Sequence, residues 1–119
     1  MIKIMLLVSR KAGVSPEEFR EHYETIHAPL AAKHLPYLAR YVRNYAVDRF
    51  GGEVDCDCVT EFWFDHPGPW REARTRILRQ DLLDLFAEDE EQFMDRTSMR
   101  TLVVEEGETA TAEMLGDRA

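Results

Sequence analysis

The chain has 119 residues, is 45% hydrophobic and 32% charged, and carries a formal net charge of −8. That length accommodates one domain with one core, and no apolar run approaches the roughly 20 residues that span a bilayer. A surplus of carboxylates repels phosphate backbones, which need clustered Lys and Arg on one face, so neither a membrane nor a nucleic acid is an expected partner.

Residues 2–9 are aliphatic and β-branched and run into Arg-Lys-Ala-Gly, the pattern of a strand followed by a turn. The apolar stretch is too short for a secretory core region and no small-residue cleavage site follows it, so a cytoplasmic protein is expected. Cys56 and Cys58, separated by one residue, are not expected to bridge and fit a reducing compartment.

Ser15, Pro16 and Glu18 supply three agreeing helix-start signals: a hydroxyl N-cap, proline at the first position and a glutamate placed to close a capping box. Phe19, Tyr23, Ile26 and Leu30 recur at helical spacing and predict one core-facing stripe, with Pro29 ending or kinking the helix. Residues 37–47 are aromatic and β-branched and break at Phe-Gly-Gly, which predicts a second strand. A third strand begins at Val54 or Asp57 and runs to Asp65.

Between Pro67 and Phe93 the apolar residues return to helical spacing, as one broken helix or two short ones. Residues 97–106 form a last strand, and the polar segment 107–119 has too little apolar content to order itself. The element order is βαββαβ, the ferredoxin-like α+β unit, over residues 1–106, followed by a flexible tail.

In this topology helices cover one sheet face only. The first strand sets Ile2, Ile4, Leu6 and Val8 against Met5 and Leu7, and the third sets Phe62 and Phe64 against Val59 and Trp63, so both faces are apolar. A bare apolar patch of several hundred Å² is rare on a monomer, and a homodimer that packs sheet on sheet is expected.

Residues 15–30, Ser-Pro-Glu-Glu-Phe-Arg-Glu-His-Tyr-Glu-Thr-Ile-His-Ala-Pro-Leu, resemble the N-terminal signature of EthD domains, most distinctively in His-Ala-Pro-Leu. Residues 88–95, leading into the strand at 101–106, resemble the acidic segment and final strand of the same family. The resemblance implies a dimeric α/β barrel in which each protomer keeps a pocket between its sheet and its helices. The activities linked to similar proteins range over ether degradation and polyketide tailoring by decarboxylation, dehydration or cyclisation, so the fold does not fix the reaction.

His27 matches the histidine of that signature and is the leading candidate for a general acid or base, although a histidine at a helix end also serves to cap carbonyls. Tyr23, one turn earlier, either shares a ligand with it or is core. Arg43 and Tyr45 alternate on one face of the second strand and are candidates to bind an aromatic or anionic substrate, with an ion pair as the other reading of Arg43. Trp63 is a candidate cavity wall. Glu61 is the one charge inside an apolar strand, where burial would raise its pKa, unless an exposed edge or an Arg43 partner makes it ordinary.

Asp81, Asp89 and the run from Glu88 to Glu91 read as a solvated face without catalysis. His22 and His27, five residues apart, would point to different faces of an α-helix, so no metal site is expected. No Gly-rich phosphate loop, nucleophile elbow or Cys-x-x-Cys occurs, and no cofactor is expected. The reading is a cofactor-independent lyase or isomerase acting on a small aromatic or polyketide-like molecule. Its alternatives are a ligand-binding accessory protein of an oxygenase or degradation pathway, and a cofactor-free or haem-degrading monooxygenase, for which Asn44 and Trp63 are suitable residue types.

Overall fold

A computed structural model describes residues 1–53 and 55–116. The Ser15 hydroxyl accepts from the Glu18 backbone N–H at 3.1 Å, and the Glu18 carboxylate accepts from the Ser15 N–H at 3.3 Å. This capping box, with Pro16 at the first position, starts helix α1, Pro16–His22.

Pro29 does not end the helix. It lacks the N–H that the Thr25 carbonyl would receive, and its ring crowds that carbonyl. The chain answers by widening residues Tyr23–His27 into a π-turn, in which the Ala28 N–H bonds to the Tyr23 carbonyl, and then continues as α2, Ala28–His34. The extra residue rotates the buried stripe: Phe19, Tyr23, His27, Ala28 and Ala31 are inside, while Ile26, expected in the core, is 50% exposed.

Strands β1 (Ile2–Val8), β2 (Arg40–Tyr45), β3 (Cys58–Phe64) and β4 (Arg100–Val104) form a four-stranded antiparallel sheet in the order β2-β3-β1-β4. This is the expected ferredoxin-like arrangement, with β1 and β3 central. β3 begins at Cys58, and the Val54 alternative lies outside the described residues. The last strand is shorter than expected, because Arg96–Ser98 form a 3-10 turn capped by the Asp95 carboxylate.

The stretch after β3 is two helices, α3 (Pro67–Ile77) and α4 (Gln80–Glu90). They join α1 and α2 on the sheet face that carries Ile4, Val8, Cys58, Thr60 and Phe64, all buried. The core divides into one cluster around Phe19, Tyr23 and Phe93 and another around Ile4, Phe64 and Ala73. Among the described residues no helix is long and apolar enough to cross a membrane.

The outer face presents Met5, Leu7, Val42, Val59 and Leu102, interrupted by a polar island. There Lys3 bonds Glu61 at 3.2 Å and Glu106 at 2.8 Å and stands 4.2 Å from the Trp63 ring centre. Asn44 donates to Glu61 at 2.7 Å.

Candidate functional site

A cavity of about 240 Å³ lies between the helices and the inner sheet face. Ile4, Phe62, Phe64 and Trp70 wall its apolar end; His27, Glu90, Arg96 and Tyr23 supply its polar atoms. Both core clusters therefore contribute walls.

The π-turn sets His27 here, 5% exposed. Its Nδ1 lies 2.8 Å from Asp89 Oδ2, and Nε2 lies 3.7 Å from Glu90 Oε2. Asp89 Oδ2 can accept a proton carried on Nδ1, and that tautomer leaves the Nε2 lone pair on the side of Glu90, which also lines the cavity. An imidazole so oriented can take a proton from a bound molecule and return it elsewhere on the same skeleton.

Asp89 Oδ1 is also 2.9 Å from His22 Nε2, so one carboxylate receives two imidazoles. The expectation that His22 and His27 diverge holds for an α-helix, where five residues place side chains about 140° apart; the π-turn returns them to one side. The Phe93 ring packs against both, with centroids 4.3 Å from His22 and 5.3 Å from His27. Among the described residues no group of three or more His, Cys, Asp or Glu has the arrangement of a metal site.

Burial pushes the Glu90 carboxyl above its ordinary range, against the opposing pull of His27 and Arg96. Arg96 Nε bonds Glu90 Oε1 at 3.2 Å, which holds this carboxylate at the cavity wall. Tyr23 is fully buried, its hydroxyl 2.6 Å from Thr60 Oγ1, and burial keeps that phenol well above its ordinary pKa. It is thus a core residue that also reaches the cavity.

The other candidates lie elsewhere. Arg43 and Tyr45 share the inner face at the β2 edge, where both bind Glu24: Arg43 Nη2 donates to Oε1 at 3.2 Å, its Nε donates to Oε2, and the Tyr45 hydroxyl donates to Oε2 at 2.6 Å. Arg43 also covers the Tyr41 ring at 4.5 Å. Trp63 and Glu61 are on the outer face, across the sheet from His27. The expected rise in the Glu61 pKa does not occur: burial alone would push it up, but Asn44, Lys3 and the Trp63 indole together hold it below the usual value. Its cationic partner is Lys3, not Arg43.

The reading of the acidic run as a solvated face is correct for Glu88 and Glu91, which are exposed, and wrong for Asp89 and Glu90. The signal was the spacing itself. Leu82, Phe86, Asp89, Glu90 and Phe93 fall at i, i+4, i+7, i+8 and i+11, so the apolar stripe of α4 runs through the two carboxylates.

Solved structures share this fold. A crystal structure of an ethyl tert-butyl ether D (EthD) family protein from Bacillus halodurans has 20% sequence identity and a TM-score of 0.63, covering 90% of this chain and 100% of that one. A protein of Arabidopsis thaliana gives 17% and 0.65, covering 93% and 100%. SnoaB, a cofactor-independent oxygenase from Streptomyces nogalater, gives 16% and 0.58, covering 91% and 94%. No functionally curated protein is significantly similar to the chain. The EthD domain matches residues 11–97, and with most of its length inside that match the chain belongs to the EthD family.

Proposed function

We propose that the protein is a cofactor-independent enzyme that moves a proton within a small, largely apolar aromatic or polyketide-like molecule, as in a decarboxylation, dehydration or cyclisation. The observation that carries this reading is His27, buried, within 2.8 Å of Asp89 through Nδ1 and 3.7 Å from Glu90 through Nε2, at the wall of an apolar cavity. His27 Nε2 takes the proton from an acidic C–H or O–H of the substrate; Asp89 stabilises the imidazolium, which returns the proton at the product-forming atom. The apolar walls exclude water and orient the ring. The reading gives Tyr23 a place beside the reacting group and assigns no ligand contact to Arg43, Tyr45, Glu61 or Trp63.

We further propose that a second copy of the chain covers the outer sheet face, where Leu102 is 55% exposed among other aliphatic side chains.

A direct test uses 5-nitrobenzisoxazole, a small aromatic carbon acid whose ring opens when a base removes its C–H proton, alongside a panel of hydroxylated anthrones. His27→Ala should lose roughly a hundred- to ten-thousand-fold in turnover while keeping its circular dichroism spectrum. A folded variant with undiminished turnover overturns the role of His27, and ligand binding without turnover in the parent protein favours an accessory binding protein. The likeness to a cofactor-independent oxygenase favours one second reading, in which the deprotonated substrate meets dioxygen. Consumption of dioxygen with a hydroxyanthrone, and loss of product formation under nitrogen, separates the two.

A further inference from the structure

We propose that His22 is a positioning residue for His27, acting through Asp89 from the outer side of the helix layer; the inference rests on the reading of His27 as the proton-transferring group. Each oxygen of Asp89 is committed to one imidazole, Oδ1 to His22 at 2.9 Å and Oδ2 to His27 at 2.8 Å. Rotation of the carboxylate about its Cβ–Cγ bond would break both contacts, so the His22 bond fixes the plane from which Oδ2 meets His27 Nδ1.

The two histidines face different spaces. His27 lines the apolar cavity, whereas His22 lines a separate groove of about 330 Å³ with Glu18, Glu21 and Gln92. Asp89 lies between them with its side chain 12% exposed. Without a donor on Oδ1, that oxygen would be left unpaired, and a carboxylate oxygen deprived of its hydrogen bond turns toward water when water is within reach. The groove that His22 lines would give access to solvent on that side, and turning toward it would withdraw Oδ2 from His27. His27 then loses the acceptor that selects its Nδ1–H form, and the Nε2 lone pair is no longer held toward the cavity. His22 donates through Nε2–H whether neutral or protonated, so no proton needs to pass through it. The π-turn that Pro29 imposes brings residues 22 and 27 to one acceptor.

Two variants separate positioning from space-filling. His22→Phe keeps an aromatic ring against Phe93 and removes the donor; His22→Gln gives up the ring and keeps an N–H at a similar reach. Long-range 15N–1H NMR spectra of the imidazoles in the ligand-free protein report which nitrogen of His27 bears the proton. The parent protein and His22→Gln should show the Nδ1–H form alone, and His22→Phe a mixture of both forms. Turnover of 5-nitrobenzisoxazole should stay near the parent rate in His22→Gln and fall by about tenfold in His22→Phe, at the lower end of the 10–100-fold that orienting partners of metal-bound imidazoles supply. Should His22→Phe fail to fold, His22→Met removes the donor with a slimmer chain and is read in the same way. A donor-less variant that retains the single Nδ1–H form overturns the proposal, as does a His22→Gln that behaves like His22→Phe. If the parent protein leaves the probe unchanged, the proton-transfer reading fails, and the comparison of tautomers still decides the role of His22.

Discussion

His27 and Asp89 lie 62 residues apart in the chain and meet at 2.8 Å across the helix layer. Asp89→Ala removes the acceptor for His27 and for His22 together. Hydrogen bonds to a charged group contribute about 1.5–3 kcal/mol each, and the more exposed His22 belongs at the lower end, so urea unfolding should show a loss of about 3 kcal/mol or more. Asp89→Asn should cost less, because its amide oxygen still accepts from one imidazole. A loss of about 0.5 kcal/mol or less in Asp89→Ala, the size of an ordinary surface change, contradicts the shared-acceptor geometry.

Glu24 and Glu90 make opposite contributions to stability as pH changes. The Arg43 guanidinium, helped by Tyr45 and opposed by partial burial, holds Glu24 below its ordinary value of 4.5. A lowered folded-state value means stability that is present above 4.5 and lost as pH falls through the folded value. Glu90 is raised by burial, so its contribution is complete below 4.5 and is lost as pH rises through the folded value. Urea midpoints measured from about pH 3 to 8 should therefore show Glu24→Gln falling behind the parent protein as pH rises toward 4.5, and Glu90→Gln gaining on it as pH rises beyond 4.5. Two parallel difference curves would contradict the assigned environments.

The first strand and the start of the first helix were legible because each is encoded locally: an aliphatic, β-branched run that ends at a turn in residues 2–13, and a hydroxyl, a proline and a glutamate in the right places at 15–18. The π-turn was not legible. A regular period assigns Ile26 to the core and separates His22 from His27, and one inserted residue reverses both assignments. Asp89 and Glu90 were hidden for another reason. In a run of four acids composition says solvent, and only the phase of Leu82, Phe86 and Phe93 shows which two carboxylates turn inward. The division of Arg43 and Tyr45 from Glu61 and Trp63 depends on strand register, which pairs Tyr45 with Cys58 and Val42 with Glu61.

Leu7 on the outer face pairs with Val59 on one side and Arg100 on the other, within the proposed dimer contact. Leu7→Arg would bury an unpaired charge between two sheets while leaving the inner core untouched. Sedimentation in dilute buffer should give the parent protein twice the 13.9 kDa of one chain and the variant a folded single chain. A parent protein that sediments as one chain removes the proposed interface.

Tyr23 bonds Thr60 at 2.6 Å, and both side chains are fully buried, which allows its two readings to be separated. Thr60→Val leaves the Tyr23 hydroxyl without its partner, and Tyr23→Phe leaves the Thr60 hydroxyl with only the weak, 3.6 Å contact of the Cys58 thiol. Each should cost about 1–3 kcal/mol in urea unfolding, the penalty of an unsatisfied buried group. Removing both hydroxyls restores an apolar contact, so the double variant should be more stable than the sum of the single losses allows, with a coupling of about 1 kcal/mol or more. Turnover then decides the role. If Tyr23 is only core, the double variant recovers activity along with stability; if its hydroxyl touches the substrate, stability returns while turnover remains at the Tyr23→Phe level.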